Sequence, residues 1–130
     1  MNKIKYLVFF GIISFIMCHH QSNLIEITLQ QKDKEIKIKI DEKIIIRLPS
    51  NPTTGYSWEN MTNNEEMVYE YKEQEYSENP DCHGRVGCGG YDLFYLKAKK
   101  SGKVKLFFIY KRPFETNIED KFSLHLLISQ

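Results

Sequence analysis

The sequence has 130 residues, of which 42% are hydrophobic and 13% aromatic, which is enough for one packed core but too little for a multidomain enzyme. This composition also excludes intrinsic disorder over most of the chain. The 18 Lys and Arg residues nearly balance the 17 Asp and Glu residues, so the chain has no basic excess of the kind that binds nucleic acid.

The N-terminus has the layout of a secretory signal peptide. Lys3 and Lys5 form a short basic opening, an apolar run follows over residues 6–18, and polar residues come next. As a helix the run measures about 20 Å, short of the roughly 30 Å core of a bilayer, so we expect no permanent membrane anchor. We therefore expect a signal peptide over residues 1–18 and a single domain over residues 19–130. A lipid anchor on Cys18 is the alternative.

Apolar and polar residues alternate with a period of two along the rest of the chain, and no sustained helical period occurs after residue 22. Residues 76–90, which contain Pro80 and four glycines, are predicted as one long loop. Short strands without helices predict an all-β fold, an immunoglobulin-like β-sandwich of seven to eight strands with Trp58 between its sheets. The predicted strands are 24–29, 36–40, 44–48, 56–59, 67–75, 91–97, 103–111 and 122–128.

Two cysteines remain beyond the signal segment, Cys82 and Cys88. In an oxidising secretory route we expect a disulfide between them, and two free thiols are the alternative. A zinc site that also used His83 would lack the usual C-x2-C spacing and a second ligand cluster, so no metal is predicted. The sequon that begins at Asn60 is a candidate glycosylation site.

Three loop motifs contain the candidate binding residues. Asn51-Pro52-Thr53-Thr54-Gly55 is a turn-forming string in which proline fixes φ and glycine permits a positive φ. Gly87-Cys88-Gly89-Gly90 precedes a strand rather than a helix, so it fits close approach of another chain's backbone better than a phosphate cradle. Arg112-Pro113-Phe114 places a cation beside an aromatic ring, as binding hot spots do. Each string alone is also typical of an ordinary connection.

In this order, NPTTGYSW, GCGG and RPF resemble the chagasin family of inhibitors of papain-like cysteine proteases. The resemblance implies an immunoglobulin-like fold with three binding loops at one end, which wedge into the active-site cleft. The motif at Asn51 would cover the catalytic cysteine and the other two would flank it. Two departures are Phe114, where family members often carry Trp, and Cys88 within the glycine motif.

The resemblance also implies a mode of action and a setting. It implies reversible, non-covalent, competitive inhibition of clan CA proteases such as cathepsins, by a monomer that needs no cofactor. The predicted signal peptide favours the secretory pathway, with action in a lysosome, a phagosome or other cytoplasmic vesicles, or after secretion. Within the central motif, we expect Thr53 and Thr54 to cover the cysteine while Pro52 keeps the backbone out of an attackable pose.

Two other classes of function are open at this point. One is a secreted adhesion or carbohydrate-binding sandwich, with Tyr71, Tyr76 and Tyr91 forming a stacking surface on a sheet face. The other is an enzyme with Cys88 as nucleophile, for which no His or carboxylate stands in a recognisable relation. Convergence of Thr53, Thr54 and Phe114 at one end of the fold would favour the inhibitor, whereas exposed tyrosines along a sheet face would favour the binding module.

Overall fold

The computed structural model describes residues 23–130, which form two packed four-stranded sheets. The predicted signal peptide, residues 1–18, lies outside the described residues. The strands are β1 (Leu24–Ile27), β2 (Glu35–Lys39), β3 (Lys43–Ser50), β4 (Ser57–Asn60), β5 (Tyr69–Glu78), β6 (Gly90–Ala98), β7 (Gly102–Lys111) and β8 (Ile118–Ser129). Three short 3-10 turns occupy Leu29–Gln31, Pro52–Thr54 and Pro80–Cys82, and residues 23–130 contain no α-helix.

The strand order is β1-β3-β6-β5 in the first sheet and β2-β8-β7-β4 in the second. β1 pairs in parallel with β3, and β2 pairs in parallel with β8. The other neighbours are antiparallel. Within residues 23–130 the chain passes between the two sheets five times, and the connection from β3 to β4 is one of these crossings. The predicted all-β sandwich is confirmed, with eight strands.

Period-two alternation places one face of each inner strand in the core. Phe94, Phe108 and Phe122 are fully buried. The Phe94 and Phe108 rings meet across the two sheets at a centroid separation of 4.7 Å, and the Phe108 and Phe122 rings meet within the second sheet at 6.2 Å. Tilted aromatic pairs at such distances add roughly 0.5–1.5 kcal/mol each to the apolar burial. The centre of the sandwich is therefore an aromatic layer surrounded by Ile and Leu side chains.

Trp58 links the two sheets close to one end of the sandwich. Its indole Nε1 donates to the Pro49 carbonyl oxygen at 2.8 Å, and its backbone N–H donates to the Asp92 carboxylate at 3.0 Å. Trp58 belongs to the second sheet, whereas Pro49 and Asp92 belong to the first. The prediction that Trp58 is a core residue is confirmed, since it is almost fully buried.

Two predicted boundaries were wrong because charged, exposed segments extend the strands. β5 continues to Glu78, which pairs with Gly90, so the predicted loop over residues 76–90 starts only at residue 79. β8 begins at Ile118 instead of residue 122. Both extensions are exposed, and apolar residues do not alternate with polar ones along them. They are held by backbone pairing, which cannot be recognised from the pattern of side chains.

β3 also extends further than the pattern predicts. It runs through Pro49 to Ser50, although a strand was expected to stop at the proline. β1 covers β3 only as far as Ile46, so Pro49 lies where β3 is an edge strand and a missing N–H can be tolerated.

Candidate functional site

The three predicted loop motifs lie side by side at one end of the sandwich. Ser50 at the end of β3 pairs with Gly90 at the start of β6, and Lys111 at the end of β7 pairs with Ser57 at the start of β4. The connections that leave these strand ends therefore emerge together. We name them the central loop (residues 51–56), the second loop (residues 79–89) and the third loop (residues 112–117).

The central loop is a single 3-10 turn closed by its own side chains. Asn51 caps the turn, and its Oδ1 accepts from the Thr53 backbone N–H at 3.3 Å and from Thr53 Oγ1 at 2.7 Å. Thr54 Oγ1 donates to the Asn51 carbonyl oxygen at 2.6 Å. Gly55 ends the turn at a φ of +80°, which only glycine adopts without strain. The loop thus has a defined shape although both threonines are exposed.

The second loop meets the central loop through Asn51 and two glycines. Asn51 Nδ2 donates to the Gly87 carbonyl oxygen at 3.2 Å. A Cβ on Gly89 would lie 3.1 Å from the Ser50 carbonyl oxygen, and one on Gly90 would collide with the Ser77 carbonyl. Within this chain, Gly89 and Gly90 admit the neighbouring strands. The approach of another chain's backbone to the glycine motif stays a prediction.

A disulfide between Cys82 and Cys88 closes the outer part of the second loop, with their Cα atoms 5.7 Å apart. Cys82 is fully buried, and its sulfur lies 3.4 Å from the Gly89 carbonyl oxygen. Arg85 folds back within the closed segment, where its Nε donates to the Cys82 carbonyl oxygen at 3.2 Å. Val86, at the tip, is 99% exposed.

The third loop reaches the central loop through Arg112. Its Nε donates to the Thr54 carbonyl oxygen at 3.0 Å, and its guanidinium lies over the Tyr56 ring. Phe114 has a φ of +70° in the turn that the Glu115 N–H closes onto the Arg112 carbonyl at 3.3 Å. A positive φ strains a residue with a side chain, and the Phe114 ring is fully exposed.

An aromatic stack supports the loops from below. The Tyr110 ring lies 5.4 Å from that of Tyr56 and 5.1 Å from that of Trp58. The Tyr110 hydroxyl accepts the Asn51 backbone N–H at 3.1 Å. The sequence pointed to Tyr56 and Trp58 as core and loop support, but it did not single out Tyr110. The only available signal was its place at the end of a strand, two residues before Arg112.

The alternative tyrosine surface does not form. Tyr76 pairs with Asp92, and Tyr91 pairs with Ser77. Because adjacent register positions point to opposite faces of a sheet, Tyr76 and Tyr91 lie on different faces. The sheet itself therefore separates two of the three candidate stacking residues. Partial desolvation raises the pKa of the Tyr76 hydroxyl most, and the negative charge of the nearby Glu78 raises it further.

The described residues offer neither a metal site nor a membrane-spanning helix. Residues 23–130 hold no cluster of His, Cys, Asp and Glu side chains that could bind a metal. Residues 23–130 also contain no helix that is long and apolar enough to cross a membrane. Asn60 is the last residue of β4, and its Oδ1 accepts the Thr62 N–H at 3.0 Å. Its glycosylation stays a prediction.

The fold and the site define a β-sandwich that presents three interlocked loops at one end. The family model described as "Chagasin family peptidase inhibitor I42" matches residues 37–126. The chain therefore belongs to the chagasin family of peptidase inhibitors. It is an inhibitor rather than an enzyme, as the sequence predicted.

Individual relatives agree with this assignment. Amoebiasin-1 of Entamoeba histolytica is 31% identical over 102 residues, which cover 73% of this chain and 89% of that protein. Chagasin of Trypanosoma cruzi is 26% identical over 106 residues, which cover 78% of this chain and 94% of that protein. The crystal structure of a cysteine protease inhibitor from Entamoeba histolytica has the same fold, with a TM-score of 0.73 at 22% identity over 82% of this chain and 96% of that one.

Proposed function

We propose that this protein is a reversible, non-covalent, competitive inhibitor of papain-like, clan CA cysteine proteases. In this proposal the central loop covers the catalytic cysteine while the second and third loops contact the two sides of the cleft. One observation carries the proposal: Asn51 and Arg112 tie the neighbouring loops to the central loop, so the three form one exposed ridge. Membership of a peptidase inhibitor family supports it.

The hydrogen bonds of the central loop explain how it could fill an active site without being cleaved. A papain-like protease attacks a carbonyl carbon with a thiolate paired to an imidazolium. In the central loop the Asn51 carbonyl accepts from Thr54, the Pro52 carbonyl accepts from the Gly55 N–H, and the Thr54 carbonyl accepts from Arg112. These three oxygens are bonded within the inhibitor and held in a turn, so they are not free to enter the oxyanion hole of the protease in the way that an extended substrate does. No covalent step is needed.

The rigidity of the ridge favours tight binding. Loops that are already ordered lose little conformational entropy when they dock. Val86 in the second loop and Phe114 in the third loop are almost completely exposed. Both side chains can therefore bury apolar surface against a partner. A standard interface of roughly 800 Å² per partner is then sufficient for a nanomolar complex.

We also propose that the protein enters the secretory pathway, is a monomer without a permanent membrane anchor, and acts in a lysosome, phagosome or other vesicle, or after secretion. The signal-like N-terminus supports this route. The Cys82–Cys88 disulfide supports it independently, because such bonds persist in oxidising compartments.

Titration of the purified protein against papain tests the function. Hydrolysis of a small fluorogenic peptide should fall to zero at stoichiometric inhibitor, recover on dilution, and show a raised apparent KM with unchanged kcat. The chain should remain uncleaved after prolonged incubation. If a protein with a cooperative unfolding transition inhibits neither papain nor related cysteine proteases, the proposed function is wrong.

A further inference from the structure

We propose that the Cys82–Cys88 disulfide is a redox switch for inhibition: it holds the second loop in its binding position when oxidised and releases that loop when reduced. This inference rests on the proposed function, because it concerns the regulation of the same site. It depends on the contacts of residues 83–88, the part of the second loop that the disulfide closes.

The disulfide is the main attachment of this segment. Arg85 bonds only to the adjoining turn, through its backbone N–H and its side chain. Among the described residues, the bond from Asn51 Nδ2 to the Gly87 carbonyl is the one hydrogen bond that joins residues 83–88 to another loop. That bond is exposed, and an exposed hydrogen bond contributes only about 1 kcal/mol. It cannot hold the segment in place by itself.

The backbone of the segment also needs a constraint. His83, Gly84 and Gly87 all have positive φ, at 47°, 74° and 79°. Glycine samples many conformations when it is free, and a histidine at positive φ is unfavourable. Without the disulfide, few interactions hold residues 83–88 in their present conformation. Because Gly87 and Val86 move with it, both the contact to Asn51 and the exposed tip are affected.

The two sulfurs differ in access, which sets the order of the reaction. Cys82 is fully buried and Cys88 is half-buried, so a low-molecular-weight thiol attacks the Cys88 sulfur as its thiolate. The bond between the two cysteines breaks, a mixed disulfide forms at Cys88, and the Cys82 thiolate takes up a proton. A second thiol then attacks the mixed disulfide. It releases Cys88 as a thiol and leaves the reductant oxidised to its own disulfide.

Reduction should leave the rest of the fold intact. Cys82 is a buried residue of the second loop and is not part of the main hydrophobic core. The two edges of the loop are fixed by strand pairing, since Glu78 pairs with Gly90 and Gly90 pairs with Ser50. The switch therefore acts on the loop rather than on folding. Thiol conditions that keep a cysteine protease active would also weaken this inhibitor.

The test compares oxidised protein with protein reduced by glutathione, whose free thiols are counted before each assay. Both samples are diluted into papain, and the inhibition constant and dissociation rate are measured within minutes. We expect reduction to weaken inhibition roughly tenfold, mainly through faster dissociation, because the loop must be ordered again on docking. Removal of glutathione and reoxidation should restore the original value.

The double variant Cys82→Ala/Cys88→Ala is the matched control, since it has no bond to reduce. It should inhibit like the reduced protein, its inhibition should not respond to glutathione, and its strand content by circular dichroism should match that of the native chain. Equal inhibition by the oxidised and reduced proteins would overturn the switch while leaving the proposed function intact. Loss of the cooperative unfolding transition on reduction would also overturn it, because the bond would then stabilise the whole fold. Absence of inhibition by both forms would remove the proposed function and this inference with it.

Discussion

The guanidinium carbon of Arg112 lies 4.5 Å from the centre of the Tyr56 ring, while Nε of the same side chain donates to the Thr54 carbonyl oxygen. One side chain of the third loop thus contacts the central loop in two ways, by a cation–π contact and by a charge-assisted hydrogen bond. The planar guanidinium makes both contacts at once, which a lysine ammonium cannot do. The spacing between the two loops depends on this arginine.

Replacing Arg112 with Lys should weaken inhibition of papain roughly tenfold, because the positive charge stays but the stacked, forked contact is lost. The free energy of unfolding should change by less than about 1 kcal/mol, since the side chain is partly exposed. Arg47→Lys is a matched control, because Arg47 also lies over a tyrosine ring, 3.8 Å from the centre of Tyr91, but donates its hydrogen bond to Glu26 and not to a loop carbonyl. Equal losses of inhibition in the two variants would contradict a specific role for Arg112.

Thr54→Glu should weaken inhibition by roughly 100-fold or more, because it places a charge and extra volume where the central loop would meet the protease. It also removes the bond from Thr54 Oγ1 to the Asn51 carbonyl. Ser101→Glu adds the same charge in the exposed turn at the opposite end of the sandwich and should leave the inhibition constant unchanged. Unaltered inhibition by a folded Thr54→Glu protein would refute the assignment of the central loop.

Substitutions at Phe114 should change inhibition without lowering the stability of the fold. Phe114→Gly relieves the positive φ, so the melting temperature should stay the same or rise by a few degrees. Inhibition should weaken roughly tenfold, because an exposed aromatic anchor is lost. Phe114→Trp should tighten inhibition through its larger ring and indole donor. A binding loss in Phe114→Gly that is matched by a stability loss would argue against a direct contact.

Tyr110→Phe tests the support beneath the central loop. It keeps the aromatic stack but leaves the Asn51 backbone N–H without its acceptor, at a cost of about 1–2 kcal/mol in unfolding free energy. Urea denaturation measures this loss, and inhibition should weaken in parallel as the loop loosens. Tyr91→Phe is the control, because the Tyr91 hydroxyl makes no hydrogen bond within residues 23–130. A Tyr110→Phe protein as stable as the control would show that the hydroxyl is dispensable.

Asn60 should carry an N-linked glycan when the full chain is made in a eukaryotic secretory pathway. Digestion with an N-glycosidase should then increase electrophoretic mobility, and Asn60→Gln should abolish the shift. Thr62→Ser should retain the glycan, since it keeps both the sequon and a hydroxyl that can accept from the Phe107 N–H. Inhibition should be the same with or without the glycan, because Asn60 lies at the end of β4 away from the loops. An unmodified secreted chain would disprove the prediction.

The sequence predicted the strands whose apolar side chains alternate, such as β6 and β8, because alternation directly reports one buried face. It did not predict the last residues of β5 or the first residues of β8, which are exposed and held mainly by backbone pairing. The three loops could be chosen from their turn residues. Their interlocking through Asn51 and Tyr110 could not, because these bonds join residues 36 and 59 positions apart and leave no periodic trace.

The disulfide also bears on how the protein survives among proteases. Arg85 and Val86 are exposed at the tip of the segment that Cys82 and Cys88 enclose, and such tips are where chains are most readily nicked. A cut between these two residues would divide the backbone, yet the bond between the sulfurs would keep both fragments joined. Each new terminus would stay within a few residues of its cysteine. The disulfide of the oxidised protein would therefore keep the two fragments together after a single cleavage at this exposed tip.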